Sequence, residues 1–263
     1  MPYRIDFSDA PADILERLIA LEALDVEERD GTVAAILPDR VDRKGLAKRL
    51  GVSRVKASAA VGRDDGSVWV LRQRPVQVGR WLVVPPGVAA PEGSLQLTDS
   101  GAFGTGLHPT TALCVELVEQ VVDDFAPSSV LDVGIGSGIL AIAALLAGVP
   151  SAVGVDIEEA ALEASRENAA LNGLGDRLTL HKGGPKCVQG TWPFIVANVL
   201  AAPLMEMAPT LVQRLGHRGR LVLSGIPELM AADVERIYRR LGLRHVMTDV
   251  RAGWSVVVMD ASW

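Results

Sequence analysis

Asp132, Gly134, Gly136 and Gly138 alternate with single residues in the stretch VLDVGIGSGIL. Glycines spaced in this way let a chain turn sharply and bring bare backbone against a ligand. A helix starting just behind them leaves N–H groups free for a carboxylate or phosphate. Asp132 stands two residues ahead of the first glycine. A carboxylate there repels a pyrophosphate but receives an ammonium group. About twenty residues further on, Asp156 closes a second apolar run, VGVD, where an acid holds ribose hydroxyls. Asn198 ends a later run, FIVAN. Its amide offers both a donor and an acceptor. An earlier glycine-rich loop, GAFGTGLHPTT, contributes Phe103, Gly104, Thr105 and Thr111.

The spacing narrows the ligand. A dinucleotide fingerprint places its third glycine where Ile139 stands. The pattern D-x-G-x-G-x-G instead suits a ligand bearing an amino group and a carboxylate beside a ribose. S-adenosylmethionine meets that description and NAD meets it less well. The competing reading is a glycine turn that only packs a helix on a strand, which the placement of Asp156 disfavours.

The elements that must hold these residues follow from periodicity. Residues 130–133 predict a strand and 139–147 a helix. Strands are expected at 153–156, 178–181, 194–199 and 220–224, with helices at 158–172, 203–215 and 227–241. The helix from 158 stops at Asn172-Gly173. Strands at 243–250 and 254–259 close the chain with no helix between them. Alternating strands and helices predict a parallel, doubly wound sheet. The last pair must form a hairpin, so one of its strands runs antiparallel. The fold class is α/β, a seven-stranded Rossmann-like sheet with a final hairpin. Gly134, Asp156 and Asn198 then lie at the carboxyl ends of strands, where such sheets bind ligands.

Ahead of this comes a different pattern. Strands at 2–7, 24–28, 32–37 and 53–61 alternate with helices at 12–23 and 42–50. Asp30-Gly31 between the second and third strands is a hairpin signal. The order βαββαβ predicts a small α+β ferredoxin-like domain, which names no function. Arg40, Arg43, Lys44, Lys48, Arg49, Arg54 and Lys56 crowd its second half. They read either as a solvated helix face or as a recognition surface. The expected division is residues 1–66, a structured linker over 67–99 and a main domain over 100–263. The linker sequence RPVQVGRWLVVPPG is rich in proline and valine and poor in serine, unlike a flexible tether.

Composition bounds the rest. At 263 residues and 49% hydrophobic, the chain can bury a sizeable core. A net charge of −6 is not the electrostatic footprint of a nucleic-acid binder. No apolar run reaches the ~18 residues of a membrane span, and MPYRIDFSDAP has no signal-peptide core. Cys114 and Cys187 are too few for a disulfide framework, and the 4 histidines show no metal-ligand spacing. Cys114 is expected to be a buried thiol. A cytoplasmic protein without a metal is the expectation.

Five stretches together carry a resemblance: residues 102–111, VLDVGIGSGILAIAA from Val130, VANVLA from Val196, LSGI from Leu223 and the linker sequence. The chain resembles the bacterial methyltransferase family that modifies large-subunit ribosomal protein L11. The likeness runs from about residue 69 to 258; before it, only the order of elements matches. The resemblance implies a class I, S-adenosylmethionine-dependent N-methyltransferase acting on lysine side chains and the α-amine of that protein. It implies cofactor contacts from Thr111, Gly134, Asp156 and Asn198, with Asn198 also the catalytic candidate. Phe103, Gly104, Thr105, Asp132 and Gly136 join the cofactor set by their place in the two loops. It further implies substrate recognition by the N-terminal domain. A monomer is expected. Contact with nucleic acid is expected only through rRNA bound to the substrate. Simple capping competes as a role for Thr111, and His108 is read as structural.

Two departures stand out. Ser100-Gly101 replaces the family's Pro-Gly, and the loop over 183–191 matches no family pattern, leaving the adenine contacts unassigned. Asn198 is followed by Val-Leu-Ala and not by Pro-Pro-aromatic, which argues against adenine or glutamine amides as acceptors. The alternatives are a lysine methyltransferase for another protein, a non-catalytic cofactor-binding module and a dehydrogenase.

Overall fold

The computed structural model describes residues 3–21, 23, 25–29, 31–38, 41–59, 75–85, 88–98, 103–104, 106, 108–251 and 253–263. The chain forms two compact units, Met1–Arg74 and Pro75–Trp263.

The first unit holds β1 (Tyr3–Phe7), α1 (Ile14–Ala20), β2 (Asp25–Arg29), β3 (Thr32–Leu37), α2 (Leu46–Leu50) and β4 (Lys56–Ala59). Its strands lie in the order β2-β3-β1-β4, antiparallel throughout. This is the split arrangement that βαββαβ predicts. Tyr3, Ile5 and Phe7 alternate inward from β1 and pack with Leu18, Leu46 and Leu50. The predicted basic helix from 42 begins only at Leu46. Gly45 sits in the left-handed region (φ 71) as its cap, and helical geometry starts after it.

The second unit opens with β5 (Val76–Val78), β6 (Trp81–Val84) and β7 (Leu95–Gln96), a small sheet of its own. Val78, Val83, Leu95 and Leu97 are buried in the same core as the large sheet's helices. Arg80 pins this region to the next helix, its backbone N–H donating to Glu119 and its guanidinium to Asp123. Residues 67–74, 86–87 and 99 of the expected linker lie outside the described residues.

The remaining elements follow the predicted alternation: α3 (Pro109–Phe125), β8 (Val130–Val133), α4 (Ile139–Leu146), β9 (Ala152–Asp156), α5 (Glu159–Leu171), β10 (Leu178–Lys182), β11 (Trp192–Asn198), α6 (Ala201–Arg214), β12 (Leu215–Pro227), α7 (Ala231–Arg240), β13 (Leu243–Arg251) and β14 (Trp254–Ala261). Among the described residues the sheet has seven strands in the order β10-β9-β8-β11-β12-β14-β13. The pairs from β10 through β12 are parallel, and β14 is antiparallel to both β12 and β13. The order reverses at β8, which is the switch point of the sheet.

Both faces of the sheet are covered. Val130, Phe194, Val196 and Val222 pack with α3 and α4 on one side. Leu131, Ile195, Leu221 and Leu223 pack with α6 and α7 on the other. Strands buried on both faces read as continuous apolar runs, as VLDV and FIVA do. β12 is longer than its predicted core and shifts register between Leu223 and Ile226. Gly225 lies there at φ +79, where a Cβ would collide with the backbone of Val199. Among the described residues no helix is long and apolar enough to cross a membrane.

Candidate functional site

The site is built at the carboxyl ends of β8, β9 and β11. After Val133 the chain turns at Gly134, whose N–H reaches Val155 O at 2.9 Å. Ile135 N–H donates to the same carbonyl at 3.1 Å. Gly134 has φ +75 and Gly136 φ +56, so both glycines are needed for the backbone path. A Cβ on Gly136 would also lie 2.7 Å from Phe103 O.

The earlier loop is tied onto this turn. Ser137 N–H donates to Phe103 O (2.9 Å), and Ser137 Oγ donates to Gly104 O (2.8 Å). Gly104 lies at φ +105, and a Cβ there would meet Ser137 Oγ at 2.6 Å. Two side chains of α5 hold the turn from below. Ser165 Oγ donates to Gly136 O and Asn168 Nδ2 to Ser137 O, both at 2.8 Å. Ser137, Ser165 and Asn168 are all buried. Sequence reading missed them. A signal was present in the spacing of Ser165, Asn168 and Asn172, which puts three polar groups on one face of a helix.

Asp156 ends β9 half-buried. Its Oδ2 accepts from Gly136 N–H and its Oδ1 from Glu158 N–H, each at 3.0 Å. Each oxygen keeps a further lone pair for a ligand hydroxyl. Asp132 is fully buried. Its Oδ2 accepts from Ala141 N–H (3.1 Å) in the first turn of α4. Burial pushes its carboxyl well above the ordinary range, opposed by the Ala141 hydrogen bond and reinforced by the nearby charge of Asp156.

On the other side of the turn lies the start of α3. His108 is its cap, and its side chain accepts from Thr110 N–H. The capping role considered for Thr111 therefore falls to His108. The imidazole packs between Phe103 (ring centroids 5.4 Å) and Trp254 (5.1 Å). Burial lowers its pKa to about 4, so the ring is neutral at neutral pH. Thr110 Oγ1 lies 2.8 Å from His108 Nδ1 and accepts from Asn198 Nδ2 at 3.3 Å. Thr110 and Trp254 are further residues the sequence reading did not single out. Thr105 lies outside the described residues, as do Ala102 and Leu107.

Thr111 Oγ1, Asp132 Oδ1 and Asn198 Oδ1 are each buried with no hydrogen-bond partner among the described residues. Buried polar atoms are nearly always paired, so three orphans around one glycine turn make this a candidate ligand-binding place. The groups suit S-adenosylmethionine: an acid for an ammonium, open backbone at Gly134 and Gly136, and a carboxylate for ribose. Cys114, the buried thiol below the site, is pushed up to about 12 by the same desolvation. Cys187 is exposed.

The strand order and this switch-point site define a class I methyltransferase fold. A profile of the Ribosomal protein L11 methyltransferase (PrmA) family matches residues 12–262, and the chain belongs to that family. It is 47% identical to the Ribosomal protein L11 methyltransferase of Azotobacter vinelandii over 233 residues, 86% of this chain and 77% of that one. It is 42% identical to that of Pelobacter propionicus over 185 residues, 67% of this chain and 60% of that one. To that of Chromohalobacter salexigens it is 44% identical over 196 residues, 73% and 65% of the two chains. Several such relatives are thus matched over only 60 to 65% of their length. Among solved structures, the ribosomal protein L11 methylase from Lactobacillus delbrueckii subsp. bulgaricus superposes with a TM-score of 0.65. The identity is 29%, covering 72% of this chain and 100% of that one.

Proposed function

We propose that this chain is a cytoplasmic, S-adenosylmethionine-dependent N-methyltransferase that acts on lysine side chains and the α-amine of ribosomal protein L11. The observation that carries the reading is the set of three buried atoms, Thr111 Oγ1, Asp132 Oδ1 and Asn198 Oδ1, around the glycine turn, unpartnered among the described residues. Family membership and the names of the relatives point to the same reaction and substrate.

Bound here, S-adenosylmethionine supplies an electrophilic methyl and its own leaving group. The protein's part is alignment and exclusion of water. Gly134 and Gly136 bring backbone close, Asp156 receives ribose hydroxyls, and Asp132 faces the ammonium. Phe103 and Gly104 cover the turn, and Thr111 lends a hydroxyl from α3. Asn198 Oδ1 accepts a hydrogen bond from the incoming amine and aims its lone pair.

That amine must lose a proton first, since lysine's reference pKa is about 10.4. Burial beside Phe103 and Trp254 lowers it by desolvation. A neutral His108, held as an N-cap, leaves water to carry the proton away. Asn198 suits an amine that must be neutral, because an amide oxygen accepts a hydrogen bond without holding an ammonium as a carboxylate does. Recognition of the protein substrate falls to the first unit, whose Arg43, Lys44, Lys48 and Arg49 lie at and just before α2.

The test is mass spectrometry of unmethylated ribosomal protein L11 after incubation with this protein and labelled cofactor. Methyl groups on lysines and the N-terminus are expected. An unmodified substrate, with S-adenosylhomocysteine produced only from a whole extract, assigns the enzyme to another protein. No S-adenosylhomocysteine in either case overturns the enzymatic reading.

A further inference from the structure

We infer that Thr110 is a positioning residue that fixes which end of the Asn198 amide faces the acceptor amine; the inference rests on the methyl transfer proposed above. Three hydrogen bonds establish the direction. Thr110 N–H donates to His108 Nδ1 at 3.3 Å, so that nitrogen presents its lone pair and the neutral ring carries its proton on Nε2. Thr110 Oγ1 lies 2.8 Å from the same Nδ1 and must donate to it. With its hydrogen committed, that oxygen can only accept, and Asn198 Nδ2 donates to it at 3.3 Å.

The amide therefore has one orientation. Its nitrogen points to Thr110, and its oxygen, buried and unpartnered among the described residues, points to the opposite side. Reversing it would set the amide oxygen against a hydroxyl oxygen with no hydrogen to share. His108 and Thr110 are neighbours in sequence and Asn198 lies 88 residues beyond Thr110, yet the chain of donors runs in a single direction. His108 is held from outside by Phe103 and Trp254, and the low pKa of its partly buried ring keeps the accepting nitrogen unprotonated. Thr110 is itself buried, so water does not substitute for the hydroxyl.

The expected signature separates chemistry from binding. Thr110→Val keeps the branched shape and removes the hydroxyl. Its single-turnover rate on ribosomal protein L11 should fall about tenfold or more, the scale of a lost hydrogen bond and an unpaired buried amide. The cofactor dissociation constant from calorimetry should change less than about threefold, because the hydroxyl acts on the amide and not on the cofactor. Thr110→Ser should recover most of the lost rate. In a double-mutant cycle, Thr110→Val should cost nothing further once Asn198→Ala is present.

The inference is overturned if folded Thr110→Val, with unchanged Tm, methylates within threefold of the wild-type rate. It is equally overturned if Thr110→Ser is as slow as Thr110→Val, or if the two losses add in the cycle. A wild-type protein that leaves ribosomal protein L11 unmodified points instead to a failure of the proposed function, which this comparison among variants keeps distinct.

Discussion

The role proposed for Asp132 sets two opposed demands on it. Folding buries it completely, and burial of a carboxylate favours the protonated form. Binding an ammonium favours the ionised form. The consequence for the ligand-free protein has a definite sign. Its folded pKa lies above the unfolded value of about 3.9, so between the two the native state holds a proton that the unfolded chain releases. Stability contributed by this group therefore falls as pH rises above about 4. Asp132→Asn should raise the Tm of the ligand-free protein at pH 8, with a smaller gain near pH 4, while weakening cofactor affinity. A lower Tm at pH 8 in melting curves would show that the carboxylate is stabilised by something other than the ligand. Asn198 tests the opposite exchange. Asn198→Asp places a charge where an ammonium would be held in its unreactive form. Its single-turnover rate at neutral pH should drop about tenfold or more, while cofactor affinity changes less. An intact rate with Asp at this position would mean that the amine does not meet this side chain.

At the scale of elements, α5 does what a helix on a sheet is rarely asked to do. Its inner face carries Ser165 and Asn168, fully buried, beside Leu162 and Ala169. Asn168 bridges two loops, donating to Ser137 O at 2.8 Å and accepting from Thr98 N–H at 2.6 Å. One turn on, Asn172 exchanges hydrogen bonds with the backbone of Gln96 at 2.9 and 2.7 Å, extending β7 as a strand partner would. Asn168→Ala removes the donor to the buried Ser137 carbonyl and the acceptor of the Thr98 N–H. It should cost about 1–3 kcal/mol for the carbonyl left unsatisfied. Urea unfolding gives the stability, and calorimetry should report weaker cofactor binding because the glycine turn loses its support. A variant of wild-type stability would assign those hydrogen bonds to water.

The whole molecule has two compact units with separate cores. The clusters around α3, α4, α6 and α7 lie wholly within the second unit, and the cluster around β1 and α1 within the first. Every described candidate cofactor position lies after residue 102. A chain beginning at Pro75 should bind S-adenosylmethionine with the affinity of the full protein and methylate ribosomal protein L11 far more slowly. The comparison is calorimetry beside a turnover assay on the same preparations. Full-rate methylation by the shortened chain would remove the first unit from substrate recognition.

The local grammar of the chain was enough to lay out the sheet. Periods of two and 3.6, Asp30-Gly31, Asn172-Gly173 and the glycines after Val133 act within a few residues, so they can be read without knowing the fold. They located the strand ends that bear Gly134, Asp156 and Asn198. A boundary failed where a single backbone angle decided it, as at Gly45. The site's side-chain partners were beyond local reading. Successive helix residues point about 100° apart, and only the packing of α3 on the sheet shows that Thr110, not Thr111, meets Asn198. Likewise, nothing near Asn168 announces Ser137 or Thr98. Periodicity specifies which face of an element is buried. Which polar groups meet across that face is decided by the superposition of segments 31 to 88 residues apart, and exists only once the sheet has assembled.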